Sequence, residues 1–282
     1  MAFVTRFAPS PTGFLHLGHA FSALTAFRAA TVAGGTFLLR IEDLDFTRCK
    51  AEYEEAILED LHWLGLSWSE PVWRQSERRE YYDKGLQHLI DNGLVYRCFR
   101  SRKEMDAILT APHGPMPRPL PFSPLSPGEE AQRLAQGDLF SWRLSTAEVS
   151  KKLGPAAEEL TYQVLRDAKL VKQEVCLDEF DGTILARKDI GTSYHLASVH
   201  DDDAAGVTHI IRGQDLADAA PLHRLLYALF DLPAPIYQHH RLITNDQGKR
   251  LAKRDKDVTI SQLRANGATR DDIFQMVGLP IF

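Results

Sequence analysis

Residues 4–45 hold the pattern that decides the fold: VTRFAPSPTGFLHLGHAFSALTAFRAATVAGGTFLLRIEDLD. A short apolar strand at residues 4–8 stops at two prolines, because proline lacks an N–H and restricts the residue before it. Beyond the loop, apolar residues recur at helical spacing until Gly34-Gly35, which are typical helix-ending residues. A second strand at residues 36–41 follows. This order predicts a βαβ unit and a parallel sheet, which binds ligands at the carboxyl ends of its strands.

Later segments extend this α/β pattern. Apolar stripes predict helices at residues 51–64, 77–92 and 221–230, and an apolar run predicts a strand at 207–212. Other local signals predict a short helix opened at Ser101, a proline-rich loop at 111–128, a hairpin near 245–248, and short helices in the basic tail.

These elements predict four consecutive segments. We expect the first half of a Rossmann-like catalytic domain at 1–99, an inserted subdomain at 100–188, the second half of the catalytic domain at 189–235, and a basic loop with a short helical tail at 236–282.

Composition excludes several classes of protein. The chain has 282 residues, 44% apolar and 25% charged, which argues against disorder, collagen-like repeats and coiled coil. No apolar run approaches the roughly 18–20 residues of a spanning helix, and the first residues do not resemble a secretory signal. Cys49, Cys98 and Cys176 are odd in number and widely spaced, which argues against a disulfide framework. We expect a cytoplasmic monomer that contacts no membrane.

The first loop carries His16-Leu17-Gly18-His19 between a strand and a helix. Helix N-termini offer N–H groups and a positive dipole end to phosphate, and imidazoles donate hydrogen bonds to phosphate oxygens. Gly18 lets the backbone approach a ligand closely. His16, Gly18 and His19 are therefore candidate nucleotide-binding residues, against the alternative of ordinary loop histidines.

A second candidate element is the basic run Lys249-Arg250-Leu251-Ala252-Lys253-Arg254. The net charge is -5, so a polyanion must be held by a local basic surface such as this one. Taken alone, the run is equally typical of a solvated turn. Paired with the first loop, it offers a cation for the negative charge that develops at the α-phosphate of ATP, and Lys253 is the best candidate.

A third set of residues is suited to a zwitterionic dicarboxylate. Arg6, Glu42 and Arg212 each end a predicted strand, so they are expected to meet at the carboxyl edge of one parallel sheet. A carboxylate favours the fork of an arginine, and an ammonium favours Glu42. Tyr194 either adds a hydroxyl or packs in the core, and surface ion pairs are the alternative for the charged residues.

These blocks, in order, resemble the class I glutamyl-tRNA synthetase catalytic domain, a Rossmann-like fold with an inserted subdomain and a short helical C-terminal segment. Residues 6–19 match the block that holds the HIGH signature, 249–254 correspond to the KMSKS loop, and shorter matches lie at 39–45, 194–197 and 208–213. The resemblance implies activation of glutamate by ATP with Mg²⁺. It implies glutamate binding by Arg6, Ala8, Ser10, Glu42, Tyr194 and Arg212, and stabilisation of the reacting phosphate by His16, His19 and Lys253.

Only 28 residues follow Arg254, whereas full glutamyl-tRNA synthetases continue into anticodon-binding domains. The chain therefore resembles the short paralogous family, the glutamyl-Q tRNA(Asp) synthetases. That resemblance implies that glutamate is activated without tRNA and then moved to queuosine in the anticodon of tRNA(Asp). RNA loops are generally read through splayed bases and backbone contacts.

Three positions depart from the family pattern. Arg100 stands where a Cys-x-Cys zinc pair has its second cysteine, and Cys98 with His113 supplies only two of the four ligands that structural zinc prefers. We therefore predict that zinc is absent. Ala252 replaces the usual serine of the KMSKS loop, and Ser198 replaces an asparagine of the longer synthetases.

Two alternatives to the queuosine-directed enzyme share this sequence pattern. The first is a truncated glutamyl-tRNA synthetase that charges tRNA(Glu) and obtains its anticodon contacts elsewhere. The second is a synthetase-like binding protein without catalysis.

Overall fold

A computed structural model describes residues 2–100, 124–188, 191–243 and 258–281. Within these ranges no helix combines the length and apolarity needed to cross a membrane. The predicted helix at Ser101, the predicted hairpin at 245–248, most of the proline-rich loop, and Lys253 lie outside the described residues.

The described ranges form an α/β fold. The strands are β1 (Val4–Phe7), β2 (Thr36–Ile41), β3 (Ser69–Arg74), β4 (Val95–Cys98), β5 (Ser141–Leu144), β6 (Thr161–Arg166), β7 (Lys169–Glu174), β8 (Ile184–Arg187), β9 (Gly191–Thr192), β10 (His209–Gly213) and β11 (Ile236–His240). The helices are α1 (Leu17–Val32), α2 (Ala51–Trp63), α3 (Arg79–Asp91), α4 (Pro127–Ala135), α5 (Thr146–Leu153), α6 (Tyr194–Ala204), α7 (Ala220–Leu229), α8 (Ile260–Ala265) and α9 (Arg270–Val277).

The parallel strands form two neighbouring sheets. In one, β1, β2 and β3 lie side by side; in the other, the order is β10, β11, β6, β7, with only β7 antiparallel to its neighbour. The parallel sheet that the sequence predicted is present, but it is divided in two where β1 lies beside β10. At the junction Thr208 N–H donates to the Val4 carbonyl at 2.9 Å, but the Thr208 hydroxyl accepts from Val4 N–H, also at 2.9 Å. The Thr208 side chain thus occupies the Val4 N–H, which a continuous backbone ladder between β1 and β10 would use.

The predicted elements of the parallel core are present. Strand β2 has the expected bounds, β1 and α2 end one residue early, and β10 is shifted by one or two residues. The helix predicted at 77–92 is preceded by a 3₁₀ turn, Gln75–Arg78, before α3 begins. The basic tail forms the predicted short helices, α8 and α9.

A third, antiparallel sheet has the order β4, β5, β8, β9. Strand β4 of the predicted segment 1–99 pairs with β5 of segment 100–188, and β8 of segment 100–188 pairs with β9 of segment 189–235. Strand β6 of segment 100–188 pairs with β11. Strands therefore pair across the predicted limits at 99/100 and 188/189, and the four-segment division stays a prediction.

Helix α1 packs against the sheet junction. Its buried face includes Phe21 and Leu24, which share one hydrophobic cluster with Ile211 of β10 and Phe274 of α9. This packing directs the N-terminus of α1 toward the ends of β1, β2 and β10. The edge where those strands end is where the charged candidates lie.

Candidate active site

A cavity of about 420 Å³ opens at the carboxyl ends of β1, β2 and β10. Its wall contains all of the predicted glutamate-binding residues: Arg6, Ala8, Ser10, Glu42, Tyr194 and Arg212. It also contains His16 and Gly18 of the predicted nucleotide set. His19 lies in the first turn of α1, outside the wall. The structure therefore brings residues from distant parts of the chain into one site, and the surface ion-pair alternative is wrong for Arg6 and Arg212, which are 5% and 3% exposed.

Arg6 is held by a buried carboxylate that the sequence analysis did not identify. Its Nε donates to Asp202 Oδ1 at 2.9 Å, and its Nη2 donates to Asp202 Oδ2 at 3.3 Å. Arg40 donates to the same Asp202 Oδ1 at 2.6 Å. Burial alone raises the pKa of a carboxyl group, but the attraction of Arg40 and Arg6 lowers the pKa of Asp202 to about 2. Asp202 is therefore ionised and neutralises part of the arginine charge.

The two carboxylate oxygens of Glu42 differ in their hydrogen bonding. Oε1 accepts from Arg40 Nη2 at 3.0 Å and from the Ser198 hydroxyl at 3.3 Å. Both hydrogen bonds that the Glu42 carboxylate receives in the described part of the chain end on Oε1, which leaves Oε2 available to a ligand. Burial raises the pKa of Glu42 above its ordinary value, against the opposing attraction of Arg40 and Arg6.

Arg212 differs from Arg6 and Arg40 because it has no hydrogen-bonded carboxylate partner among the described residues. Its Nε lies 3.5 Å from His239 Nε2, and its guanidinium lies 5.3 Å from the centre of the Tyr237 ring. Nη1 and Nη2 are buried and have no hydrogen-bond partner among the described residues. A buried cation without a counter-charge is strongly unfavourable unless a ligand supplies one.

Three imidazoles lie near Arg212 without providing that counter-charge. Burial, followed by the charge of Arg212, lowers the pKa of His195 and of His239 to about 4. The same causes hold the pKa of His223 well below its usual value. His195 Nδ1 and His223 Nε2 are 3.1 Å apart and share a hydrogen bond. All three rings are therefore neutral at physiological pH.

The histidines of the first loop cap helix α1. His16 Nδ1 accepts from Gly18 N–H at 3.0 Å, and His19 Nδ1 accepts from His16 N–H at 3.2 Å. A neutral imidazole that accepts at Nδ1 carries its proton on Nε2, so each ring can donate from Nε2. The expectation of open backbone N–H groups is thus corrected at Gly18, whose N–H is occupied. A Cβ at Gly18 would lie 2.9 Å from the His16 ring, so this turn requires glycine.

Backbone contacts connect this loop to the chain after the KMSKS-type segment. His16 and Thr259 form an antiparallel bridge, and Ile260 N–H donates to the Leu15 carbonyl at 2.8 Å. Before the segment, Arg241 donates to the Val277 carbonyl of α9 at 2.7 Å. The described residues on both sides of 244–257 are thus anchored near α1 and α9.

Sequence reasoning missed the buried partners Arg40, Asp201 and Asp202. A usable signal was the polar spacing in α6, where Tyr194, Ser198, Asp201 and Asp202 follow the i, i+4, i+7, i+8 pattern of one helix face. Another was Arg40, a charge inside an otherwise apolar strand and two residues before Glu42. Asp201 accepts from Arg78, Gln75 and Tyr82, which fixes α6 against α3 and the 3₁₀ turn.

No cluster of three or more metal-ligating side chains occurs in the part of the chain that the structure describes. Cys98 is buried and Cys176 is exposed, while His113 lies outside the described residues. The absence of zinc stays a prediction.

Comparisons with known proteins agree with this geometry. The family described as tRNA synthetases class I (E and Q), catalytic domain, matches residues 2–280. A glutamyl-Q tRNA(Asp) synthetase from Rhodobacter capsulatus is 43% identical over 98% of this chain and 100% of that protein. A second, from Nocardia farcinica, is 37% identical over 98% of this chain and 85% of its own length.

A solved structure gives the same result for the fold. A glutamate tRNA ligase from Elizabethkingia meningosepticum, in complex with its amino acid, matches with a TM-score of 0.74 and 31% identity. The match covers 90% of this chain and 52% of that ligase, so the chain spans about half the length of the ligase.

Proposed function

The chain belongs to the class I tRNA synthetases for glutamate and glutamine, among the glutamyl-Q tRNA(Asp) synthetases, and from this premise we propose its reaction. It is a ligase that activates L-glutamate with MgATP, in the absence of RNA, to glutamyl-adenylate. It then transfers the glutamyl group to a hydroxyl of queuosine in the anticodon of tRNA(Asp).

The single observation that carries glutamate as substrate is the buried Arg212 guanidinium, whose Nη1 and Nη2 have no hydrogen-bond partner among the described residues. Arg6, Arg40 and Arg78 form ion pairs with Glu42, Asp201 and Asp202, so the charges of these six residues cancel. Asp215 and Arg241, which also line the cavity, are opposite in sign, and Arg212 has no hydrogen-bonded carboxylate among the described residues. One positive charge is left over. Glutamate carries two carboxylates and one ammonium, so its net charge of about -1 balances the site, whereas neutral glutamine does not.

In this proposal each side chain has a defined task. Arg6 and Arg212 bind the two carboxylates of glutamate, Glu42 accepts from the ammonium through Oε2, and Tyr194 with Ser10 and Ala8 orients the amino acid. An α-carboxylate oxygen of glutamate attacks the α-phosphorus of ATP and pyrophosphate leaves. A queuosine hydroxyl then attacks the activated carbonyl, and AMP leaves with the bond pair while the hydroxyl proton is lost.

The phosphate end of the site lies at the N-terminus of α1. His16 and His19 donate from Nε2 to phosphate oxygens, and Gly18 allows the phosphates close approach. Lys253 supplies the cation that stabilises the charge developing on the transferring group. Mg²⁺ enters as part of the substrate MgATP.

The acceptor is supported by the relatives, two of which carry the name glutamyl-Q tRNA(Asp) synthetase and are aligned over most or all of their length. The test is glutamylation of four RNAs with labelled glutamate: tRNA(Asp) with queuosine, tRNA(Asp) without it, tRNA(Glu), and an unrelated tRNA. We expect label only on the first. Label at the acceptor end of tRNA(Glu) would instead favour a glutamate–tRNA ligase, a class in which Saccharophagus degradans has a 36% identical relative.

We further propose that the protein acts as a monomer in the cytoplasm. No disulfide joins Cys49, Cys98 and Cys176, which favours a reducing compartment.

A further inference from the structure

Arg40 is a buried arginine that contacts the active-site carboxylates from outside the cavity wall. It is 3% exposed, and its guanidinium bridges Asp202 Oδ1 at 2.6 Å and Glu42 Oε1 at 3.0 Å. Arg40 and Glu42 lie two apart on one chain segment, so they share a face of the sheet. We propose that Arg40 is a positioning residue that orients Glu42 for the ammonium group of the amino acid, an inference that rests on the proposed function.

The orientation of Glu42 is set by two donors on one oxygen. Arg40 approaches Oε1 from β2, and the Ser198 hydroxyl approaches it from α6 at 3.3 Å. Because both bonds end on Oε1, the plane of the carboxylate is fixed and Oε2 remains for the substrate. Arg40 is the charged donor of the two, and a charge-assisted hydrogen bond is about twice as strong as a neutral one.

Arg40 also favours the ionised form of Glu42. Burial raises the pKa of Glu42, and Arg40 is the largest opposing influence, followed by Arg6. The other groups that face Glu42 are Asp202 and Tyr194 of α6, neither of which adds positive charge. Without Arg40 the pKa of the buried carboxyl group would rise further, and a carboxyl group that holds its proton attracts an ammonium only weakly.

The contact to Arg6 survives when Arg40 is replaced. Arg6 binds Asp202 through two nitrogens of its own, at 2.9 and 3.3 Å, and does not contact Arg40 through a hydrogen bond. Arg212 is farther along the wall, beside His239. Loss of Arg40 is therefore expected to weaken recognition of the ammonium group while recognition of the carboxylates remains.

The experiment compares Arg40→Gln with wild type in ATP–pyrophosphate exchange, using glutamate as substrate and glutarate, which lacks the ammonium, as competitive inhibitor. We expect the KM for glutamate to rise about tenfold or more, which is the worth of roughly one charged hydrogen bond. The KM for ATP and the inhibition constant for glutarate should each change less than about twofold. Arg143→Lys, at a buried arginine of β5 in the antiparallel sheet, is the matched control and should change none of these constants.

A pH profile separates positioning from a general loss of structure. In Arg40→Gln the KM for glutamate should fall as pH rises, because a larger fraction of Glu42 then carries its negative charge; wild type should change much less. If Arg40→Gln does not fold, Arg40→Lys is the variant to test. Lysine keeps the positive charge, but its ammonium cannot bridge the two carboxylates as the planar guanidinium does. The KM of Arg40→Lys for glutamate should rise, and its KM for ATP should stay unchanged.

Two results would overturn the inference: an unchanged KM for glutamate in a folded variant, or a glutarate constant that rises as much as the glutamate KM. Either is distinct from failure of the proposed function, in which wild type itself shows no glutamate-dependent exchange.

Discussion

Replacing Arg212 with glutamine should lower activity and raise the stability of the ligand-free protein. Nη1 and Nη2 of Arg212 are buried without partners among the described residues, so both are available to a substrate carboxylate. A hydrogen bond to a charged group contributes about 1.5–3 kcal/mol of interaction free energy, so two such bonds to the substrate carboxylate contribute about 3–6 kcal/mol. Arg212→Gln should therefore lower kcat/KM for glutamate by roughly 10²–10⁴-fold.

The same substitution removes a buried charge whose Nη1 and Nη2 have no hydrogen-bond partner in the described part of the chain. Leaving a buried donor unsatisfied costs about 1–3 kcal/mol, and glutamine retains part of that cost in its amide. We expect the free energy of unfolding without ligand to increase by about 1 kcal/mol. Arg224→Gln is the matched control, since Arg224 Nε donates to the Thr161 carbonyl at 2.8 Å away from the cavity wall. That variant should be less stable and should keep its activity.

The assays are ATP–pyrophosphate exchange with glutamate and with glutamine, and urea unfolding without ligand. Glutamine lacks the charge that Arg212 recognises, so the preference for glutamate should fall by about the same factor as kcat/KM. Unchanged discrimination would remove Arg212 from carboxylate recognition. A loss of stability as large as that of Arg224→Gln would show that Arg212 already has an internal partner.

Two further predictions concern other parts of the molecule. Lys253→Ala should slow ATP–pyrophosphate exchange by about a hundredfold or more, because a cation at the reacting phosphate is lost; exchange at the wild-type rate would contradict this role. Asp60 has two carboxylate oxygens without hydrogen bonds to described residues, and burial raises its pKa to about 6, against the weaker attraction of Arg264. The folded protein thus holds a proton that the unfolded chain releases near pH 4, so wild-type stability falls as pH rises from about 4 to about 6. Asp60→Asn should remove that fall and stabilise the protein at pH 7 by on the order of 1 kcal/mol in chemical denaturation, and equal pH dependence in both proteins would refute the assignment.

The parallel core was predictable because its signals are local. Pro9 ends β1, the apolar spacing of α1 and α2 marks helices, and the bounds of β2 follow from a run that is apolar except at Thr36 and Arg40. The division into two sheets was not predictable, because it depends on the Thr208 hydroxyl reaching Val4, 204 residues away. No local pattern distinguishes that threonine from an ordinary strand residue.

In the candidate site, too, residues marked by a local sequence signal were predictable, and residues whose role depends on a distant contact were not. Arg6, Glu42 and Arg212 were predictable because each ends a strand, and His16 and His19 because they precede a helix. Asp202 was missed because its role depends on Arg6, 196 residues away. In the sequence, Asp201-Asp202-Asp203 is indistinguishable from a solvated acidic run, whereas the structure buries the first two. Burial, rather than residue type, decides that these carboxylates balance arginines.

The distribution of partners explains how a site rich in arginine can be selective. Asp202 engages both Arg6 and Arg40, so neither can turn freely toward a competing anion. Glu42 has one oxygen fixed and one left for a ligand, and the described groups nearest to the Arg212 guanidinium are neutral imidazoles and the Tyr237 ring. The fold thus satisfies the charges that must stay in place and leaves one anion and one cation unsatisfied at separate points of the wall. Because these groups are fixed before the ligand arrives, little reorganisation opposes binding, and a ligand with the wrong charge leaves Arg212 uncompensated.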